Sequence, residues 1–133
     1  MTPLGPTHTP FDRLGHDAAV ALAKRFYDHM DAHERALVAV HPTDEHGNVA
    51  PVLRERFAKF LVEWLGGPSI YSTEHGHPRL RMRHHHVPVG TEHRDAWLRC
   101  MTAALDDPSV DDETRAYLGR RFAEVADFLK NRP

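Results

Sequence analysis

The stretch PVLRERFAKFLVEWLGGP, residues 51–68, carries the clearest patterning in the chain. Leu53, Phe57, Phe60, Leu61 and Trp64 recur at the i, i+4, i+7, i+8, i+11 spacing of one helical face. Pro51 has the fixed φ that suits a first helical position, and Gly66-Gly67-Pro68 cannot continue the helix. The pattern predicts an amphipathic helix over 51–65 that presents an aromatic face to an interior.

The flanking segments follow the same period. Over residues 17–30, Ala19, Leu22, Ala23, Phe26 and Met30 form one stripe, with Tyr27 at its edge. HERALVAVHP (33–42) is a shorter helical piece stopped by Pro42, and TDEHGN (43–48) is a polar turn. Residues 69–90 contain Gly76, Pro78, Pro88 and Gly90, which leave room only for a helical turn or two near 78–84. A helix over 91–105 would turn Ala96, Trp97, Cys100, Met101 and Ala104 inward, and one over 112–130 would do so with Leu118, Phe122, Val125 and Leu129. Asp111, Asp112 and Glu113 stand where the dipole of that last helix favours negative charge. No alternating strand and no repeat is present. The expectation is an all-α domain with four main helices over 11–133, preceded by a loose, proline-rich arm over 1–10.

At 133 residues the chain can build one core. Its net charge of -2, with 17 Lys and Arg scattered along it, gives no footprint for nucleic acid. A lone cysteine, Cys100, allows no internal disulfide and fits a reducing, cytoplasmic setting. No run approaches the ~20 apolar residues that span a bilayer, and MTPLGPTHTPF lacks the pattern of a secretory signal.

Histidine is the outlier, with 12 residues, and His75, His77, His84, His85, His86 and His93 fall in one short region. Zinc spacing is missing, because neither a cysteine pair nor H-E-x-x-H occurs. Neighbours on a helix point about 100° apart, so at most one of His84, His85 and His86 faces inward. Phe26, Phe57, Phe60, Trp64, Trp97 and Phe122 would surround that ring with apolar surface, an environment suited to a flat cofactor with a metal at its centre. On the residues alone, a haem site, a solvated His-rich loop and a haem-free metal buffer all remain open.

Three long motifs narrow the choice. WLGGPSIYSTEHGHPRLRMRH (64–84), RDAWLRCMTAAL (94–105) and FDRLGHDAAVALAKRFYDHMD (11–31) strongly resemble the group II truncated haemoglobins, the short two-over-two globins, and the similarity runs from about Phe11 to about Leu129. The resemblance implies a truncated globin-like two-over-two helical sandwich holding haem b (iron protoporphyrin IX). It makes His84 the proximal iron ligand and His85 and His86 its flanking residues. It places Tyr27 and Trp97 in the distal pocket as hydrogen-bond donors, with His41 at a third distal position where many relatives have tyrosine. Leu53 falls at the gate, Phe57 faces the ligand and Phe60 lines the pocket. Arg83 and Tyr71 would meet the haem propionates, with Arg81 and His77 behind them.

The implied activity is reversible binding of O2, and of NO, CO or sulfide, at a five-coordinate iron, in a carrier, store or sensor. The alternative is redox catalysis, as an NO dioxygenase or with peroxide, in which His41 would give the proton. His41 is also within the class of residues able to bind iron in the ligand-free state. A reductase partner and a homodimer belong to the same expectation.

Overall fold

The computed structural model describes residues 3–80, 84 and 89–131. Among them are six helices: α1 (Pro10–His33), α2 (Arg35–Val38), α3 (Pro51–Trp64), α4 (Ile70–His75), α5 (Thr91–Leu105) and α6 (Asp112–Leu129). The four long ones are those the periodicity predicts, α2 lies in the short piece also predicted, and only the six-residue α4 is an addition. The piece predicted over 33–42 is helical only from Arg35 to Val38.

Helix α1 begins earlier than the stripe from residue 17 indicates. Thr9 accepts from the Asp12 amide at 3.2 Å, and Asp12 accepts from the Thr9 amide at 2.9 Å, a reciprocal cap. Pro10 then takes the first helical position. Gly15, at φ +79°, breaks the period between this turn and the long run that follows. The break conceals the first turn from a periodicity reading, and only glycine adopts that φ cheaply. Ahead of the cap, Gly5 and His8 exchange backbone hydrogen bonds of 2.9 and 3.3 Å.

Gly66 and Gly67 do more than stop α3. Gly66 has φ +110°, and a Cβ there would lie 2.4 Å from Cβ of Thr9. A Cβ on Gly67 would lie 2.8 Å from the Phe11 ring. The Phe11 amide donates to the Leu65 carbonyl at 2.9 Å. The glycine pair is therefore the seat on which the start of α1 rests.

Helices α1 and α3 form one pair and α5 and α6 the other, with α1 lying against α5. The interior is filled by Leu22, Phe26 and Met30 of α1, Leu61 of α3, Met101 of α5 and Leu118 of α6, all fully buried. On α6 the buried positions are Thr114, Leu118, Phe122 and Ala126, whereas Val125 and Leu129 are only half-buried. Leu118 and Phe122 keep the predicted stripe, which continues through Ala126 at the i+4 step and starts at Thr114, whose amide and hydroxyl donate to the capping Asp111 at 2.8 Å each. The turn from α5 to α6 is tied by Arg115, whose guanidinium donates to the carbonyls of Leu105 (3.0 Å) and Val110 (2.8 Å).

Candidate functional site

His84 lies in helical backbone between α4 and α5 and is half-buried. Its Nδ1 donates to the Leu80 carbonyl oxygen at 2.7 Å. A carbonyl only accepts, so Nδ1 carries a proton, and in the neutral tautomer this leaves Nε2 as the nitrogen able to bind a metal. The segment is also held from the far end of the chain. Asn131 donates from Nδ2 to the His84 carbonyl at 3.3 Å, and it exchanges 2.8 Å hydrogen bonds with the backbone of Val89. Arg81, Arg83, His85 and His86 lie outside the described residues.

Tyr27 is 6% exposed on α1. Its ring meets Phe57 edge-on at 5.3 Å and His41 edge-on at 6.2 Å. Burial pushes its phenol well above the ordinary range, against the opposing charge of Arg54, so the hydroxyl stays protonated and able to donate. His41 follows α2. Its Nδ1 donates to the Leu37 carbonyl at 2.7 Å, which leaves Nε2 as an acceptor. Burial lowers the His41 pKa further than that hydrogen bond raises it, so the ring is neutral at pH 7. Half-buried Trp97, on α5, stands edge-on to Phe26 at 5.3 Å and to Phe122 at 5.7 Å.

Helix α3 supplies the apolar wall. Phe57 stacks on Phe26 at 5.0 Å, and Phe60 meets Tyr71 edge-on at 5.7 Å. Leu53 packs against the same core from the first turn. Below them a groove of about 330 Å³ is lined by Phe60, Trp64, His77, Pro78, Arg79, Leu80 and Phe128. Leu80 thus contributes its side chain to the groove and its carbonyl to His84. Tyr71 is buried, with its ring against Phe60 and His75, while His77 is exposed and accepts from the Arg79 amide at 3.1 Å.

The structure thus brings Tyr27, His41 and Phe57 into ring contact and places Trp97 one aromatic layer away, across Phe26. Sequence reasoning missed Arg54, which lies 5.6 Å from the Tyr27 ring centroid and binds Asp28 and Asp31 of α1. Its position directly after Leu53 was the available signal.

These residues suit haem better than a bare metal ion. Among the described residues no group of three or more His, Cys, Asp or Glu could hold a metal ion. A porphyrin-borne iron requires only one protein imidazole on a side, since the ring supplies four ligands, and His84, tethered next to the apolar groove through Leu80, fits that need. Cys100 is fully buried, and burial pushes its thiol up to about 12, which makes it packing rather than a reactive group.

Two helical pairs packed around an aromatic interior are the architecture of a short globin. The bacterial-like globin family matches residues 9–131. The group 2 truncated hemoglobin YjbI of Bacillus subtilis is 34% identical over 93% of this chain and 89% of its own length. The group II 2-on-2 hemoglobin of Agrobacterium tumefaciens superposes with a TM-score of 0.84 at 34% identity, covering 97% of this chain and 98% of its own. A cold-adapted truncated hemoglobin from Pseudoalteromonas haloplanktis gives 0.83 at 38% identity, covering 92% and 98%. The chain belongs to the bacterial-like globin family and, within it, to the group II truncated haemoglobins.

Proposed function

We propose that the protein holds haem b through Nε2 of His84 and takes a small gaseous ligand, O2 foremost, on the side lined by Tyr27, His41, Phe57 and Trp97. The observation that carries this reading is the 2.7 Å hydrogen bond from His84 Nδ1 to Leu80, which orients the ring and reserves Nε2. Haem, when bound, supplies the iron and the coordination position that O2, NO, CO or sulfide takes.

The chain's own residues then act on the ligand. Tyr27 and Trp97 offer an O–H and an N–H in a dry pocket, where each hydrogen bond contributes roughly 1–3 kcal/mol. Leu53, Phe57 and Phe60 exclude water. Arg83 and Tyr71 remain the residues we assign to the propionates.

The tether on His41 favours O2 binding over the peroxidase-like alternative, which needs a proton for O–O cleavage, and leaves NO dioxygenation to the turnover test. Its N–H is already given to Leu37, so the neutral ring has no proton to deliver. A cytoplasmic setting goes with the buried, unpaired Cys100, and a reductase and a second copy of the chain are the partners of this reading. No described helix is long and apolar enough to cross a membrane.

The test is an optical spectrum of the purified protein in the ferric, ferrous and O2-exposed forms, followed by O2 release and by turnover with peroxide and with NO. A Soret band, reversible O2 binding and slow release are expected, with little turnover. A protein that takes up no haem would refute the reading.

A further inference from the structure

The Tyr27 ring is flanked by a charged cluster that the ligand-binding reading does not use. Arg54 donates from Nη1 to Asp31 Oδ2 at 2.7 Å and pairs through Nη2 with Asp28. Nη2 also reaches the Lys24 carbonyl at 3.4 Å. The guanidinium carbon stands 5.6 Å from the centroid of the Tyr27 ring, within cation–π range. The other oxygen of Asp31 accepts from the Val49 amide at 3.0 Å. Val49 is fully buried, one residue before the Ala50 that precedes α3. Lys24 completes the cluster by binding the second oxygen of Asp28 at 2.6 Å. One carboxylate of α1 therefore fixes both the end of the loop that delivers α3 and the first arginine of α3. Arg54 and Asp31 are mostly covered, with 24% and 13% of their side chains exposed, so this is not a solvated surface pair.

The consequence is geometric. Leu53 is the preceding residue and Phe57 lies one turn further along α3, while Tyr27 sits on α1 between Lys24, Asp28 and Asp31. A fork that binds both ends of this arrangement sets the spacing of α1 and α3 where both face the ligand. From this geometry we infer that Arg54 is a positioning residue of the distal pocket. It holds the Tyr27 hydroxyl in register with the ligand by fixing α1 against the first turn of α3. The inference rests on the gas-binding reading above.

A double-mutant cycle on the haem-loaded protein tests it, with O2 dissociation and the C–O stretching band of the CO form as readouts. Arg54→Met keeps the length of the side chain and removes its charge and its planar fork. Release of O2 about fivefold faster, and a C–O band split in two as Tyr27 takes more than one position, are expected. In a Tyr27→Phe background the same substitution should change neither readout, whereas a merely structural role would act equally in both. Arg54→Lys keeps the charge without the fork and should fall between wild type and Arg54→Met. If Arg54→Met fails to fold, Arg54→Lys is carried through the same cycle. Equal effects in both backgrounds, or no effect in either, would overturn the inference while leaving the gas-binding reading intact. A Tyr27→Phe protein that releases O2 at the wild-type rate would also overturn the inference and take Tyr27 out of the mechanism, while the gas-binding reading falls only if no haem is taken up.

Discussion

His41 and His84 are tethered alike: in each ring Nδ1 lies 2.7 Å from the carbonyl oxygen four residues earlier, Leu37 for one and Leu80 for the other. Both rings therefore donate from Nδ1 and turn Nε2 elsewhere. Their surroundings differ. His41 is edge-on to the phenol of Tyr27, while His84 shares Leu80 with the apolar groove.

This difference separates their roles in a haem-content assay. His84→Ala should lose stable haem, read as the ratio of Soret to protein absorbance, whereas His41→Leu, His85→Ala and His86→Ala should retain it. Normal haem content in His84→Ala would remove His84 as the ligand.

Trp97 and Tyr27 should each slow ligand escape through one hydrogen bond. Trp97→Phe and Tyr27→Phe remove the donor and keep the ring. Loss of roughly 1–3 kcal/mol corresponds to O2 release about 5–150-fold faster in stopped flow. An unchanged rate in either variant takes that residue out of the mechanism.

How far the sequence reveals these features depends on the physics behind each. Helix α3 was legible because an aromatic stripe, an initiating proline and a glycine stop all agreed. The helix bounded by Thr91 and Leu105 was read to the residue. The first turn of α1 was hidden, because Gly15 breaks the period there and the cap at Thr9 is a side-chain device. Tyr27, read at the edge of its stripe, proved buried because α3 covers it from above. His84 could be singled out only through the GHPRLRMRH motif, since no periodicity separates it from two adjacent histidines. Arg54 looked like the polar face of an amphipathic helix. Its role depends on two carboxylates that are distant in sequence and meet it only after α1 and α3 pair.

The two kinds of glycine should respond oppositely to alanine. Gly66→Ala forces an unfavourable φ of +110° and a Cβ 2.4 Å from that of Thr9, and should cost about 2–4 kcal/mol. Gly119→Ala, in α6 with nothing within 4 Å of the new methyl, should gain about 0.5–1 kcal/mol. Urea unfolding of the two variants checks the contrast, and a stabilised Gly66→Ala would contradict the seat described for α1.

Acid should weaken the cap of α6. The Thr114 amide and hydroxyl hold the Asp111 carboxyl below its ordinary value. A depressed carboxylate pKa contributes stability that is present above the unfolded value of about 3.9 and is lost as pH falls through the lower folded value. Asp111→Ala should therefore cost about 1 kcal/mol at pH 7, with the gap to wild type closing below about pH 4. A gap that is constant from pH 7 to pH 3 would exclude this origin.

Cys100 should resist thiol reagents in the native protein, because its sulfur is buried and its thiol is pushed up to about 12. Ellman's reagent should titrate it only after denaturation; rapid native labelling would show that α5 opens readily.

Asn131 stands near the carboxyl end of the chain yet grips the backbone of His84 and Val89. Replacing it, as in Asn131→Ala, should loosen the segment to which we assign the iron without touching the opposite side. Such a variant should shed its pigment while its helices stay wound, so colour fades before ellipticity falls.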